Sequence, residues 1–131
     1  MDVIINNARY GHMGPTELVS DEALKEQFDT NVFGLMRVTR TFLPAIRERK
    51  SGRIINVSSV GGRVTFPFMG VYNASKYAVE SLSDALHMEL KPFGVDVVLV
   101  HRPQEEAHPR PRRSPRGLRT LRALGRPQQL A

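Results

Sequence analysis

Three short runs rich in β-branched residues, separated by two long stretches of helical period, most restrict what this chain can fold into. The runs are Asp2-Val3-Ile4-Ile5-Asn6-Asn7, Arg53-Ile54-Ile55-Asn56-Val57-Ser58-Ser59 and Val95-Asp96-Val97-Val98-Leu99-Val100. Near-continuous apolar runs of this length mark strands buried in a parallel sheet. The first two close in polar side chains, Asn6-Asn7 and Ser58-Ser59. Strand, helix, strand, helix, strand predicts an α/β fold whose parallel strands are joined by right-handed crossovers.

The first helical stretch opens on Ser20, a suitable N-cap, with Asp21 and Glu22 at the positive end of the dipole. Leu24, Phe28, Leu35 and Phe42 follow at roughly helical spacing, and Val32, Phe33, Met36 and Val38 widen the stripe. Gly34 is a weak point, and Pro44 is expected to kink or end the helix. The second stretch runs from Tyr72 to Leu90. Its expected core stripe is Ala78, Leu82, Ala85 and Leu86, with Glu80, Asp84, His87 and Lys91 facing solvent. Pro92 and Gly94 stop it.

In parallel sheets of this kind, ligands gather outside the carboxyl ends of the strands. Asn6, Asn7, Ser58 and Ser59 lie at such ends, and Tyr72 opens the helix after the second strand. Tyr72 and Lys76, four residues apart, stack on one helix face. An ammonium ~4 Å from a phenol favours its ionised form by roughly 4 kcal/mol at an effective dielectric of about 20. That suits the pair to donating and accepting a proton. Taken singly, the pair reads as a half-buried aromatic and a solvated lysine. Ser59 reads as a strand-end cap, Asn31 as a polar residue on an exposed helix face, and Asn6-Asn7 as the start of a turn. The meeting of polar strand ends on one rim favours the chemical reading.

Composition narrows the chemistry. With no cysteine, the chain has no disulfide, thiolate metal site or cysteine nucleophile. Its four histidines lack metal spacing, so no metal is expected. No window of about 18 apolar residues spans a membrane. Met1-Asp2-Val3-Ile4-Ile5 lacks the basic region and long apolar run of a secretory signal, so the expected compartment is cytoplasmic. Residues 1–100 carry 11 Lys/Arg and 11 Asp/Glu, whereas residues 101–131 carry 8 Arg and 2 Asp/Glu, so the net charge of +6 lies wholly in the tail. The tail also holds five of the nine prolines and is expected to be disordered. Its arginines can bind phosphate, but no aromatic interleaves with them, so nucleic acid is not the expected partner. Leu118, Leu121 and Leu124 make at most a short amphipathic helix.

Residues 2–100 resemble the short-chain dehydrogenase/reductase family through four matches in family order and spacing. Asn6-Asn7-Ala8 is similar to the family's Asn-Asn-Ala-Gly strand end. Asn31, in Asn31-Val32-Phe33-Gly34, resembles the catalytic asparagine of the long helix. Ser59, thirteen residues before Tyr72, resembles the catalytic serine, and Tyr72 and Lys76 resemble the Tyr-x-x-x-Lys motif. The resemblance implies a partial Rossmann-like, doubly wound parallel sheet of three strands and two long helices. It implies hydride transfer between NAD or NADP and a small-molecule alcohol or carbonyl. Tyr72 would be the general acid and base, Lys76 its electrostatic partner and the holder of the nicotinamide ribose, and Ser59 the stabiliser of the substrate oxygen. Asn31 would hold a relay water. Asn7, Ala8, Ser58, Tyr72 and Lys76 would meet the cofactor, and the long helices would pair in a homo-oligomer.

Three features depart from the family pattern. No strand and Gly-rich turn for the cofactor pyrophosphate precede Asn6. Arg9 holds the glycine position of Asn-Asn-Ala-Gly, and His101-Arg102-Pro103-Gln104 stands where the family has Pro-Gly. The first strand is therefore expected to present an open edge, and stability to be marginal or to depend on another subunit. Two functions follow as expectations: an oxidoreductase fragment retaining its proton-transfer half, or a non-catalytic remnant that associates with a full-length relative.

Overall fold

Three strands form where the β-branched runs predicted them: β1 (Val3–Asn6), β2 (Gly52–Ser59) and β3 (Val95–Arg102). The structure, a computed structural model, describes residues 3–103. The expected disorder of the tail lies outside the described residues. The sheet order is β1-β2-β3 with both pairs parallel, so Ile4, Ile54 and Val97 share one row, and Ile5, Ile55 and Val98 the next. β3 runs to Arg102, placing His101 beside Ser58.

The helices are α1 (Asp21–Phe28), α2 (Gly34–Arg49) and α3 (Gly70–Leu90). Ser20 caps α1 as expected, its hydroxyl accepting from the Ala23 N–H at 3.1 Å. One π turn, Asp29–Phe33, joins α1 to α2. There the Gly34 N–H reaches back five residues to the Asp29 carbonyl, and a Cβ on Gly34 would lie only 3.1 Å from that oxygen. The wider turn shifts the helical phase. Asn31, Val32 and Leu35 turn inward, while Leu24, Phe33, Val38 and Phe42 remain exposed.

Of the two outcomes expected at Pro44, a kink or an end, the helix does not end there; α2 continues to Arg49. An interior proline costs about 3 kcal/mol. Leu43 and Ile46 on either side of it pack into the core, and burying a large aliphatic side chain contributes about 1.5–3 kcal/mol.

Both long helices cover one sheet face. Ile4, Ile54, Val95 and Val97 pack against Ile46 of α2 and Leu86 and Leu90 of α3. The helices meet one another through Val32, Leu35 and Val79. A polar chain pins the strand ends beneath them. Asn6 donates to Asn56 Oδ1 at 2.9 Å and to Thr39 Oγ1 at 3.1 Å, and Asn56 donates to Ser83 Oγ at 2.9 Å. On the opposite face Val3, Ile5, Val98 and Val100 stay exposed among the described residues. Parallel sheets usually have both faces covered.

Candidate active site

At the carboxyl ends of β1 and β2, two loops and the first turns of α3 enclose a polar rim. Tyr72 and Lys76 are both buried, on the inner face of α3. Lys76 Nζ donates to the Val57 carbonyl at 3.1 Å and lies 5.9 Å from the centroid of the Tyr72 ring. The strand carbonyl therefore draws the ammonium under the ring. No side chain among the described residues hydrogen-bonds the Tyr72 hydroxyl.

Ser59 arrives from the end of β2. Its Oγ accepts from the Gly61 N–H at 3.1 Å, which leaves the hydroxyl proton free to donate. Gly61 is the hinge of the arrangement. A Cβ there would lie 2.6 Å from Asn73 Nδ2, 3.3 Å from Tyr72 Cε1 and 3.5 Å from Ser59 Oγ. The tyrosine ring edge and the serine hydroxyl thus flank one point that only a glycine leaves open. Asn73 locks this turn, donating to the Gly61 carbonyl at 2.9 Å and accepting from the Phe66 N–H at 3.0 Å.

Burial of the Lys76 ammonium, followed by repulsion from Arg9, lowers its pKa from 10.5 to about 8, against an opposing pull from Glu80. Lys76 uses one N–H on Val57, and its other two have no partner among the described residues. Two free donors on a fixed ammonium suit the hydroxyls of a diol.

Asn31 is buried within the π turn. Its Oδ1 accepts from the Tyr10 N–H at 2.9 Å, and its Nδ2 donates to the Tyr10 carbonyl at 2.9 Å and to Ser75 Oγ at 3.0 Å. Ser75 passes the link to the Tyr72 carbonyl at 2.7 Å. Both amide protons are therefore used in clamping the loop after β1 to α3. Gln27 adds to the clamp, bonding the Tyr10 carbonyl and accepting from the His12 N–H at 2.7 Å. Asn31→Ala removes the part-buried bond to the Tyr10 N–H and the buried bond to Ser75 Oγ, and is expected to cost about 1–3 kcal/mol. Urea denaturation measures this, and an unchanged midpoint contradicts the clamp.

The remaining sequence candidates separate. Asn7 and Ala8 are exposed on the rim beyond β1, as is Arg9. Ser58 is buried, and its Oγ points to the side occupied by Gly62 and Glu80, away from Ser59 Oγ. Sequence reasoning missed Gln27 and Asn73, and it placed Glu80 in solvent. Glu80 is in fact buried, 2.7 Å from His101 Nε2. α3 buries Tyr72, Ser75, Lys76, Val79, Glu80 and Ser83 on one stripe, so polar residues share the inner face that an apolar count assigns elsewhere. Gln27 did leave a trace, as an amide four residues before Asn31.

The comparisons with known proteins agree with this fold. The family model for short chain dehydrogenase matches residues 1–104. A 3-ketodihydrosphingosine reductase of Bacteroides thetaiotaomicron is 46% identical over 100 residues, covering 76% of this chain and 37% of the relative. The human 17-beta-hydroxysteroid dehydrogenase type 1 is 42% identical over 100 residues, covering 76% of this chain and 30% of that protein. A short-chain dehydrogenase/reductase from Burkholderia phymatum in complex with NAD superposes with a TM-score of 0.75 at 33% identity, over 78% of this chain and 37% of that one. The chain thus spans little more than a third of the length of the relatives it matches. With the parallel sheet, the rim tyrosine–lysine pair and the matched family model in agreement, the chain belongs to the short-chain dehydrogenase family.

Proposed function

We propose that this chain carries the proton-transfer part of an NAD(P)-dependent oxidoreductase that interconverts an alcohol and a carbonyl. One observation carries the reading: the Tyr72 ring, whose hydroxyl has no partner among the described residues, lies 5.9 Å from the buried Lys76 ammonium and flanks, with the Ser59 hydroxyl, the space over Gly61. Tyr72 donates the proton to a carbonyl oxygen, or takes it from an alcohol. Lys76 favours the phenolate and offers its two free donors to the ribose hydroxyls. Ser59 donates to the substrate oxygen and stabilises the charge that develops there. Asn7, Ala8 and Ser58 line the cofactor side, with Ser58 contributing through its backbone. Asn31 acts by position, since its amide protons already hold the rim. The nicotinamide supplies the hydride.

The substrate we assign is apolar. Tyr10, Met13 and Phe68 are exposed on the two loops that flank the rim, and the Gly14 N–H joins those loops at the Phe68 carbonyl, 2.8 Å away. Phe68 holds a φ of 64°, a costly conformation for a bulky residue. Two relatives are named for a ketodihydrosphingosine and a hydroxysteroid, both with apolar bodies. A homo-oligomeric contact through the long helices belongs to the same reading, and Phe33, Val38 and Phe42, exposed along the first of them, would take part.

Titration of NADH and NADPH into the purified chain, followed by nicotinamide fluorescence, tests the reading. Saturable enhancement of either at or below about 1 mM is expected. Silence of both at that concentration removes it and leaves the competing reading, a non-catalytic segment that associates with a full-length relative.

A further inference from the structure

Beyond the Tyr72–Lys76 pair lies a buried carboxylate that the proposed chemistry does not use. Tyr72, Lys76 and Glu80 recur at intervals of four along α3 and so share one face. Glu80 is only 9% exposed. A carboxylate so placed is costly unless charges or donors meet it. Two side chains do so, and a glycine limits the space. His101 Nε2, from β3, lies 2.7 Å from Glu80 Oε1. Arg63 Nε, from the loop after β2, lies 3.7 Å from Oε2. Gly62 closes the remaining space, since a Cβ there would sit 2.9 Å from both Glu80 Cγ and Ser58 Oγ. Ser58 Oγ is itself buried with no hydrogen-bond partner among the described residues, so it does not bind the Glu80 carboxylate. The carboxylate is held in one position, one helical turn from the ammonium.

We propose that Glu80, fixed by His101 and Arg63, is the counter-charge that keeps Lys76 protonated at the rim, and is thus a positioning residue for proton transfer at Tyr72. The inference rests on the reading of Tyr72 and Lys76 given above and deepens it. The groups that face Lys76 are Tyr72 and Glu80 on its own helix and Arg9 from the loop after β1. Arg63 and His101 stand behind Glu80. Burial and Arg9 both disfavour the ammonium, and Glu80 is the anion that supports it. His101 and Arg63 hold that charge in place while drawing off part of its field.

The chain's lysines are Lys25, Lys50, Lys76 and Lys91, few enough for the Lys76 side chain to be followed by NMR in a carbon-13 lysine-labelled sample. Glu80→Gln keeps the shape and an acceptor for His101 but removes the charge. The proton affinity of Lys76 is expected to fall about tenfold in this variant. His101→Gln, which keeps a donor at the Nε2 position, is expected to leave Lys76 near its unmodified value. An unchanged Lys76 titration in folded Glu80→Gln overturns the proposal. If that variant does not fold, Arg63→Gln carries the same test, since the Arg63 side chain is exposed and its loss removes a cation that draws off the field of Glu80. The proton affinity of Lys76 must then rise, and an unchanged Lys76 titration in that variant overturns the proposal equally. Neither readout needs nicotinamide binding, so this inference and the functional reading fail separately.

Discussion

Tyr72→Phe is expected to lower turnover of an apolar secondary alcohol with NAD or NADP by about 10²–10⁴-fold, the range for a positioned general acid–base. The variant is unusually clean. Phenylalanine keeps the ring, whose edge meets the loop after β1 where a Cβ on Gly11 would lie 3.6 Å from Tyr72 Cδ2. The hydroxyl it removes has no partner among the described residues, so none of them is left with an unpaired buried group. Thermal stability should therefore stay within the scatter of neutral substitutions while nicotinamide absorbance stops changing. Retained turnover would move the proton donor elsewhere. A collapse in stability would mean that the hydroxyl is structural.

Lys76→Met is expected to abolish turnover as well, while stabilising the chain at neutral pH. Lys76 titrates at about 8 in the fold against an ordinary 10.5. At about 1.36 kcal/mol per pH unit, holding the buried ammonium costs about 3 kcal/mol. Loss of the hydrogen bond to the Val57 carbonyl gives back about 1 kcal/mol, leaving a net gain of about 2 kcal/mol. The sign follows from the protons bound. Below the folded value both states hold the proton, and the cost is carried in full. Between about 8 and 10.5 the unfolded chain binds more protons than the folded one, so stability rises with pH across that window. Urea midpoints taken at a series of pH values should show the advantage of Lys76→Met shrinking through that range. A variant less stable than the unmodified chain at pH 7 would contradict the cost assigned to Lys76.

Much of the rim was legible in the sequence, and for a physical reason. Strand ends that change from Ile-Ile or Ile-Asn-Val to Asn-Asn or Ser-Ser announce where buried backbone meets a polar site. A tyrosine and a lysine four apart have only one geometry on a helix. The strand runs and the parallel order followed from the same pattern. What stayed hidden depends on contacts distant in sequence. Within the π turn, Asn31 reaches Tyr10 and Ser75 at once, which no local period shows. Pro44 sits inside a helix because core contacts on either side outweigh its local cost. Glu80 looked like a solvent residue because hydrophobicity cannot show that β3 brings a histidine to meet it. Asn73 looked like a spacer within Tyr-x-x-x-Lys, yet it holds the Ser59–Gly61 turn in place. Apolar period finds the core, and it overlooks polar side chains buried to hold loops.

Those loops and helix turns converge on one ammonium, and its titration tests the account most directly. The Lys76 side-chain resonance, followed by NMR from neutral to strongly alkaline pH in the unmodified chain, should show a midpoint near about 8. A midpoint at the ordinary lysine value would mean that the ammonium is solvated and the rim is open, and the site described here would not exist.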